Sequence, residues 1–132
     1  MRNLKNTLVL LILCSAVYSC SPLLSKKIVG TWKMQQVLDL NDDVSTQHNP
    51  DDDRWITFYK DQTFKSGGGP FGENTGKWEL DENTATLYLD SDAGEEDDSY
   101  WIIDISTDDM EWKGTKFDFA KRFTLRHTRV NP

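Results

Sequence analysis

Between residues 28 and 127 apolar and polar side chains alternate in short bursts, the period-two mark of half-buried strands. "IVGTWKM" places Ile28, Trp32 and Met34 on one face. "RWITFY" sets Ile56 and Phe58 against Trp55, Thr57 and Tyr59, and after the tight turn "KDQ" the run "TFKS" starts a return strand. "GKWEL" turns Trp78 and Leu80 inward and Lys77 and Glu79 outward. "ATLYL" groups Ala85, Leu87 and Leu89; "YWIIDI" groups Trp101, Ile103 and Ile105; "MEW" groups Met110 and Trp112. "FDFAKRFTLRH" reads as one closing strand with Phe117, Phe119, Phe123 and Leu125 on a single parity.

Turn signals separate these bursts: "KDQ", "GGGPFGENTG", "DEN", "DSDAGEEDD", "TDD" and "KGT". About eight short strands joined by short turns predict an antiparallel meander. Closing it removes exposed edges, so the expected fold is all-β, a small eight-stranded antiparallel up-and-down β-barrel over residues 27–132. A β-sandwich is the alternative, and it needs longer crossovers than most of these turns supply. Trp32, Trp55, Trp78 and Trp101 follow one another at 23-residue intervals. This is either the echo of a hairpin repeat or coincidence, given the unequal loops between them.

The chain's start is different. Residues 1–19 hold two cations, Arg2 and Lys5, no acid, and an apolar run from Leu8 to Leu13 that weakens towards Tyr18. A basic start, a short apolar core and small residues describe a secretory signal rather than a membrane span, which takes about 20 apolar residues. "AVYSC" resembles a bacterial lipobox, with Ser19 just before Cys20, Val17 where Leu is usual and Tyr18 where Ala or Gly is usual. That resemblance implies cleavage before Cys20 and thioether attachment of a diacylglycerol, with further palmitate-type acyl chains. Cys14 leaves with the signal, so Cys20 has no thiol partner in an exported chain and lipidation accounts for it. Residues 20–26 form a short tether. Ser21, and the basic rather than acidic run "SPLLSKK", imply the outer membrane, on its periplasmic face.

The chain of 132 residues has a net charge of −7. The first 19 residues take two of the 15 basic residues and none of the 22 acids, so residues 20–132 carry −9. That balance argues against a nucleic-acid partner, whose phosphates need a basic face, and against electrostatic docking on anionic lipid. Attachment to a membrane has to come from the lipid anchor.

The strand pattern then acquires a family likeness. "IVGTWKM" resembles the start of a lipocalin, which carries Gly-x-Trp on its first strand behind a short helical turn that plugs the barrel; here these are Gly30, Thr31, Trp32 and "PLLSKK". Trp32 has the bulk to fill a barrel floor, and Gly30, two residues earlier on the same face, leaves room there. The chain is similar to the small lipocalin-like domains of bacterial lipoproteins, whose "F…D-G-T-F" hairpin is matched by "FYKDQTF", with Gln62 in place of Gly, and whose next strand is matched by "GKWEL". The likeness covers nearly all of residues 26–128. It implies an arginine of the last strand over the tryptophan. Arg122 and Arg126 are the candidates, and both stand opposite in parity to Phe123 and Leu125, so a twist or bulge is required. A Thr-Asp-Tyr-like turn has no match.

Candidate ligand-binding residues are Trp55, Phe58, Trp78, Trp101, Trp112 and Phe123. They either line an apolar cavity or fill it, because an eight-stranded barrel is just wide enough for one or the other. The acidic runs Asn41–Asp53 and Asp90–Asp98 read as solvated loops: counted from Asp90, an EF-hand would need Gly and Glu where Glu95 and Ile102 stand. The first of these loops is long enough to act as a lid. His48 and His127 are far apart and have no nucleophile motif beside them, so no metal site, cofactor or catalytic residue is assigned. "GGGPFG" lacks the strand-to-helix setting of a phosphate loop and reads as a hairpin tip with Phe71 at a mouth. The expected function is non-catalytic binding of a small hydrophobic molecule or lipid. The alternative is a filled barrel that presents its loops to an envelope protein.

Overall fold

The computed structural model describes residues 23–115 and 120–130. The signal, Cys20, Phe117 and Phe119 lie outside the described residues. Nine strands follow in chain order: β1 Gly30–Asp39, β2 Asp42–Asp43, β3 Trp55–Phe58, β4 Thr63–Gly67, β5 Asn74–Asp81, β6 Thr86–Ser91, β7 Ser99–Ile105, β8 Asp109–Gly114 and β9 Phe123–Arg129. Every consecutive pair from β3 to β9 is antiparallel and hydrogen-bonded, and β1 pairs with both β3 and β9. The eight long strands therefore close into an up-and-down barrel, while β2 is a two-residue return at the end of β1.

Strand β1 manages the closure by changing partners along its length. Gly30 to Lys33 pair with β3, and Trp32 to Asp39 pair with β9. A register shift between Met34 and Gln36 lets one extra residue in, so Trp32, Met34 and then Val37 are the buried positions. Such a bulge bends a strand and increases its twist, which a small barrel needs.

One end is a packed floor. Helix α1, Leu24–Lys27, lies across it, and Glu82 accepts hydrogen bonds from the backbone N–H groups of Leu24 and Ser25, both at 2.9 Å. Ile28, Trp32, Phe58, Trp78, Leu87, Ile103, Ile105 and Met110 fill the space above, all buried. Both large indoles satisfy their N–H there: Trp32 Nε1 donates to the Ile28 carbonyl at 2.8 Å and Trp78 Nε1 to the Tyr59 carbonyl at 3.1 Å. Each such apolar side chain stabilises the fold by about 1.5–3 kcal/mol.

At the other end, the mouth, lie the loops 40–54, 68–73 and 92–98. Their carboxylates serve as local backbone caps. Asp43 accepts from the Ser45 N–H and hydroxyl, Asp53 from Gly69 N–H, and Asp98 from Ser91 N–H. The Ser45 hydroxyl, then Gln36, hold the Asp43 carboxyl down at about 2.

Two expectations change. Ala120–Arg122 forms a 3-10 turn, so the last strand begins at Phe123 rather than at residue 117 and runs on to Arg129. The turn is fixed by Leu40 N–H donating to the Arg122 carbonyl and by the Arg122–Asp39 pair. The loop 40–54 is also not a lid. Asn49, buried, ties it down: its Oδ1 accepts from Asp53 and Arg54 N–H, and its Nδ2 donates to the Met34 carbonyl.

Candidate functional site

The barrel interior is filled unequally. Above the floor a cavity of about 370 Å³ opens at the mouth. Its walls are inward-facing residues from strands all round the barrel, among them Met34, Ile56, Phe64, Leu89, Trp101 and Trp112. The alternation of the strands puts them there, and small residues near the mouth leave space between them. Gly67 and Gly68 are two such positions: a Cβ on Gly67 would sit 2.8 Å from the Trp55 ring, and Gly68 holds φ +101. Phe71, on the same loop, stands 68% exposed at the rim.

Polar groups sit among these walls. Arg54, partly buried, reaches in from the end of the first loop. Its Nη1 donates to the His48 carbonyl at 3.1 Å, and its guanidinium lies 4.8 Å from the Phe71 ring centre. Burial lowers its pKa from the ordinary arginine value. His127 is only 3% exposed and packs against Trp112 with ring centres 4.6 Å apart and the ring planes tilted by 38°. Burial, and then the positive Arg54, push its pKa down to about 3, so the imidazole is neutral. His127 Nδ1 and Trp112 Nε1 are both buried without a hydrogen-bond partner. Buried polar atoms are nearly always paired, so these two, both enclosed by the surrounding side chains, are exceptions.

Below the cavity lies the motif expected at the floor. Trp32 is fully buried, and the guanidinium over it belongs to Arg129, 4.2 Å from the ring centre. This corrects the assignment to Arg122 or Arg126. Arg122 pairs with Asp39, and Arg126 points outward to Glu111 and Gln36. Arg129 is the direct register partner of Trp32 and shares the inward parity of Leu125 and His127. Gly30, at φ +131, provides the space: a Cβ there would sit 2.8 Å from Arg129 Nη1.

A family model described as a lipocalin-like domain matches residues 28–112, more than half of the chain. The chain belongs to the lipocalin-like domain family. Among solved structures, the domain is similar to a DUF4847 family protein from Bacteroides vulgatus at 14% identity and a TM-score of 0.57, covering 79% of this chain and 94% of that one. It is also similar to a lipocalin-like protein from Bacteroides uniformis at 12% identity and a TM-score of 0.56, covering 79% of this chain and 99% of that one. At these identities the likeness concerns the fold alone. No curated protein matches the chain.

Within the lipocalin-like barrel the six candidate residues divide. Trp55, Trp101 and Trp112 line the cavity. Trp55 does so from the rim, since it has the opposite parity to Ile56 and Phe58. Phe58 and Trp78 lie in the packed floor instead, edge to face at 5.8 Å. Phe123 packs against His48 at 5.5 Å, outside the cavity wall. The even spacing of four tryptophans therefore has no structural counterpart, because Trp32 and Trp78 belong to the floor, Trp101 to the cavity and Trp55 to the rim. Arg54 and His127 escaped the sequence reading as lining residues. Parity with Ile56 and with Leu125, respectively, was the available signal.

Proposed function

We propose that this protein is a lipid-anchored envelope lipoprotein whose barrel takes a small hydrophobic molecule or lipid into its open mouth and catalyses no reaction. The supporting observation is the cavity of about 370 Å³ above a packed floor, walled by Phe64, Leu89, Trp101 and Trp112. Small-molecule sites are clefts of about 300–1,000 Å³, so this one suits a ligand at the small end of the range, with polar side chains such as Ser66, Asn74 and Ser99 sharing the wall with the apolar ones.

The anchor reading rests on the lipobox resemblance at Cys20, and the floor geometry is consistent with it. Helix α1 begins at Leu24, and four residue steps span at most about 14 Å. An acylated Cys20 would hold the floor near the bilayer and turn the mouth away from it. The outer membrane, on its periplasmic face, is the proposed location, from Ser21 and the basic "SPLLSKK".

The test is a titration with the neutral fluorophore N-phenyl-1-naphthylamine, following energy transfer from the tryptophans. Saturation at about one probe per chain supports the reading. A second reading, an interaction module for an envelope protein, is favoured by Phe71, a large apolar side chain exposed on the mouth loop. It gains if no probe binds and if cross-linking through the mouth loops captures a protein partner.

A further inference from the structure

Arg54 is the only cationic side chain lining the cavity among the described residues. Its guanidinium carries five N–H donors in a planar fork, and one bond is formed, to the His48 carbonyl. No carboxylate among the described residues pairs with it. Of the two acids that share the cavity rim, Glu73 is exposed and faces Lys65 at 3.9 Å, and Asp97 is exposed on the far loop. A charge withdrawn from water without a counter-charge is unfavourable, and proteins seldom keep one without a complement.

The rest of the cavity points the same way. His127 is neutral and contributes no competing charge. The remaining lining is mixed: Phe64, Leu89, Trp101 and Trp112 are apolar, and Ser66, Asn74 and Ser99 are polar. An occupant that met Arg54 and the apolar part of this lining would have an apolar body and an anionic end carrying acceptor oxygens.

Resting on the reading of the cavity as a ligand site, we infer that its ligand is a small amphipathic organic anion, its carboxylate-type group held by Arg54 and its apolar body against Phe64, Trp101 and Trp112. Planar guanidinium matches planar carboxylate in a two-bond fork, and a charge-assisted bond in a partly dehydrated site is roughly twice as strong as a neutral one. The acidic mouth loops slow the approach of an anion from a distance. They do not cancel a contact made inside, because exposed charges are screened over about 8 Å at physiological salt.

Two probes with the same ring system separate the possibilities: 1-anilinonaphthalene-8-sulfonate, which is anionic, and N-phenyl-1-naphthylamine, which is neutral. The purified protein should bind the anionic probe about tenfold more tightly or better, a difference that one charge-assisted contact supplies. Arg54→Gln should remove that preference by weakening the anionic probe far more than the neutral one, whose retained saturable binding shows that the cavity is intact. Arg54→Lys should restore part of it. Equal affinity for both probes in the parent protein overturns the anion inference and leaves the cavity reading standing. Equal loss of both in Arg54→Gln assigns the side chain a structural role and also overturns it. No binding of either probe to the parent protein defeats both readings.

Discussion

The guanidinium of Arg129 lies 4.2 Å from the centre of the Trp32 ring, and its N–H groups donate to three backbone carbonyls, those of Lys27, Val29 and Thr107. One side chain thus ties the floor helix, the residue leading into the first strand and the β7–β8 turn to the last strand. Arg129→Ala should destabilise the protein by about 2–4 kcal/mol, combining the lost cation–π contact with carbonyls left unpaired. Arg122→Ala, which breaks an exposed pair with Asp39, should cost about 1 kcal/mol or less. Urea midpoints of the two variants check the ordering, and equal costs would contradict it.

The turn before β4 carries strain that the sequence discloses. Gln62 stands where the related hairpins have Gly, and its φ is +65, a left-handed conformation. Asp61 holds it there by accepting from the Thr63 N–H at 3.0 Å and the Thr63 hydroxyl at 2.6 Å. For a residue with a Cβ that conformation costs about 1–2 kcal/mol, partly offset by the extra freedom glycine has when unfolded. Gln62→Gly should therefore raise stability by about 1 kcal/mol, measured as a higher urea midpoint. A loss of stability would show that the side chain makes a contact worth more than the strain.

Strand alternation made the barrel legible. Period-two bursts located all eight long strands, and the short turns implied their up-and-down order. Parity placed Trp32, Trp78 and Ile103 inside correctly. Height along the barrel axis was not legible, since alternation says which face a residue takes and not how near the mouth it sits. That is why Phe58 and Trp78 were grouped with Trp101 and Trp112. The arginine over Trp32 was missed for a related reason: only the β1–β9 register, with its bulge at Gln35, shows that Arg129 and Trp32 are level.

His127 gives the fold a specific pH dependence. Its pKa is about 3 in the folded chain against an ordinary 6.5, because burial and Arg54 oppose the charged form. Between those values the unfolded chain binds the extra proton, so stability rises with pH and is lost as pH falls from 6.5 towards 3. His127→Gln should flatten the stability–pH curve across that window relative to the parent. An NMR titration that finds the imidazole ionising at its ordinary value would contradict the burial argument.

Membrane attachment rests on one atom, the Cys20 sulfur. Cys20→Ser should move the protein from the membrane to the soluble fraction on cell fractionation. Retention of the variant with membranes would remove the lipoprotein reading.

The indole N–H signals of the five tryptophans test the central division of the barrel into packed floor and open mouth. Two-dimensional NMR can follow them during titration with N-phenyl-1-naphthylamine. Trp101 and Trp112 should shift strongly and saturate together, while Trp32 and Trp78, in the floor, stay in place. Absence of any saturable shift, or shifts confined to the floor pair, would contradict a ligand site at the mouth.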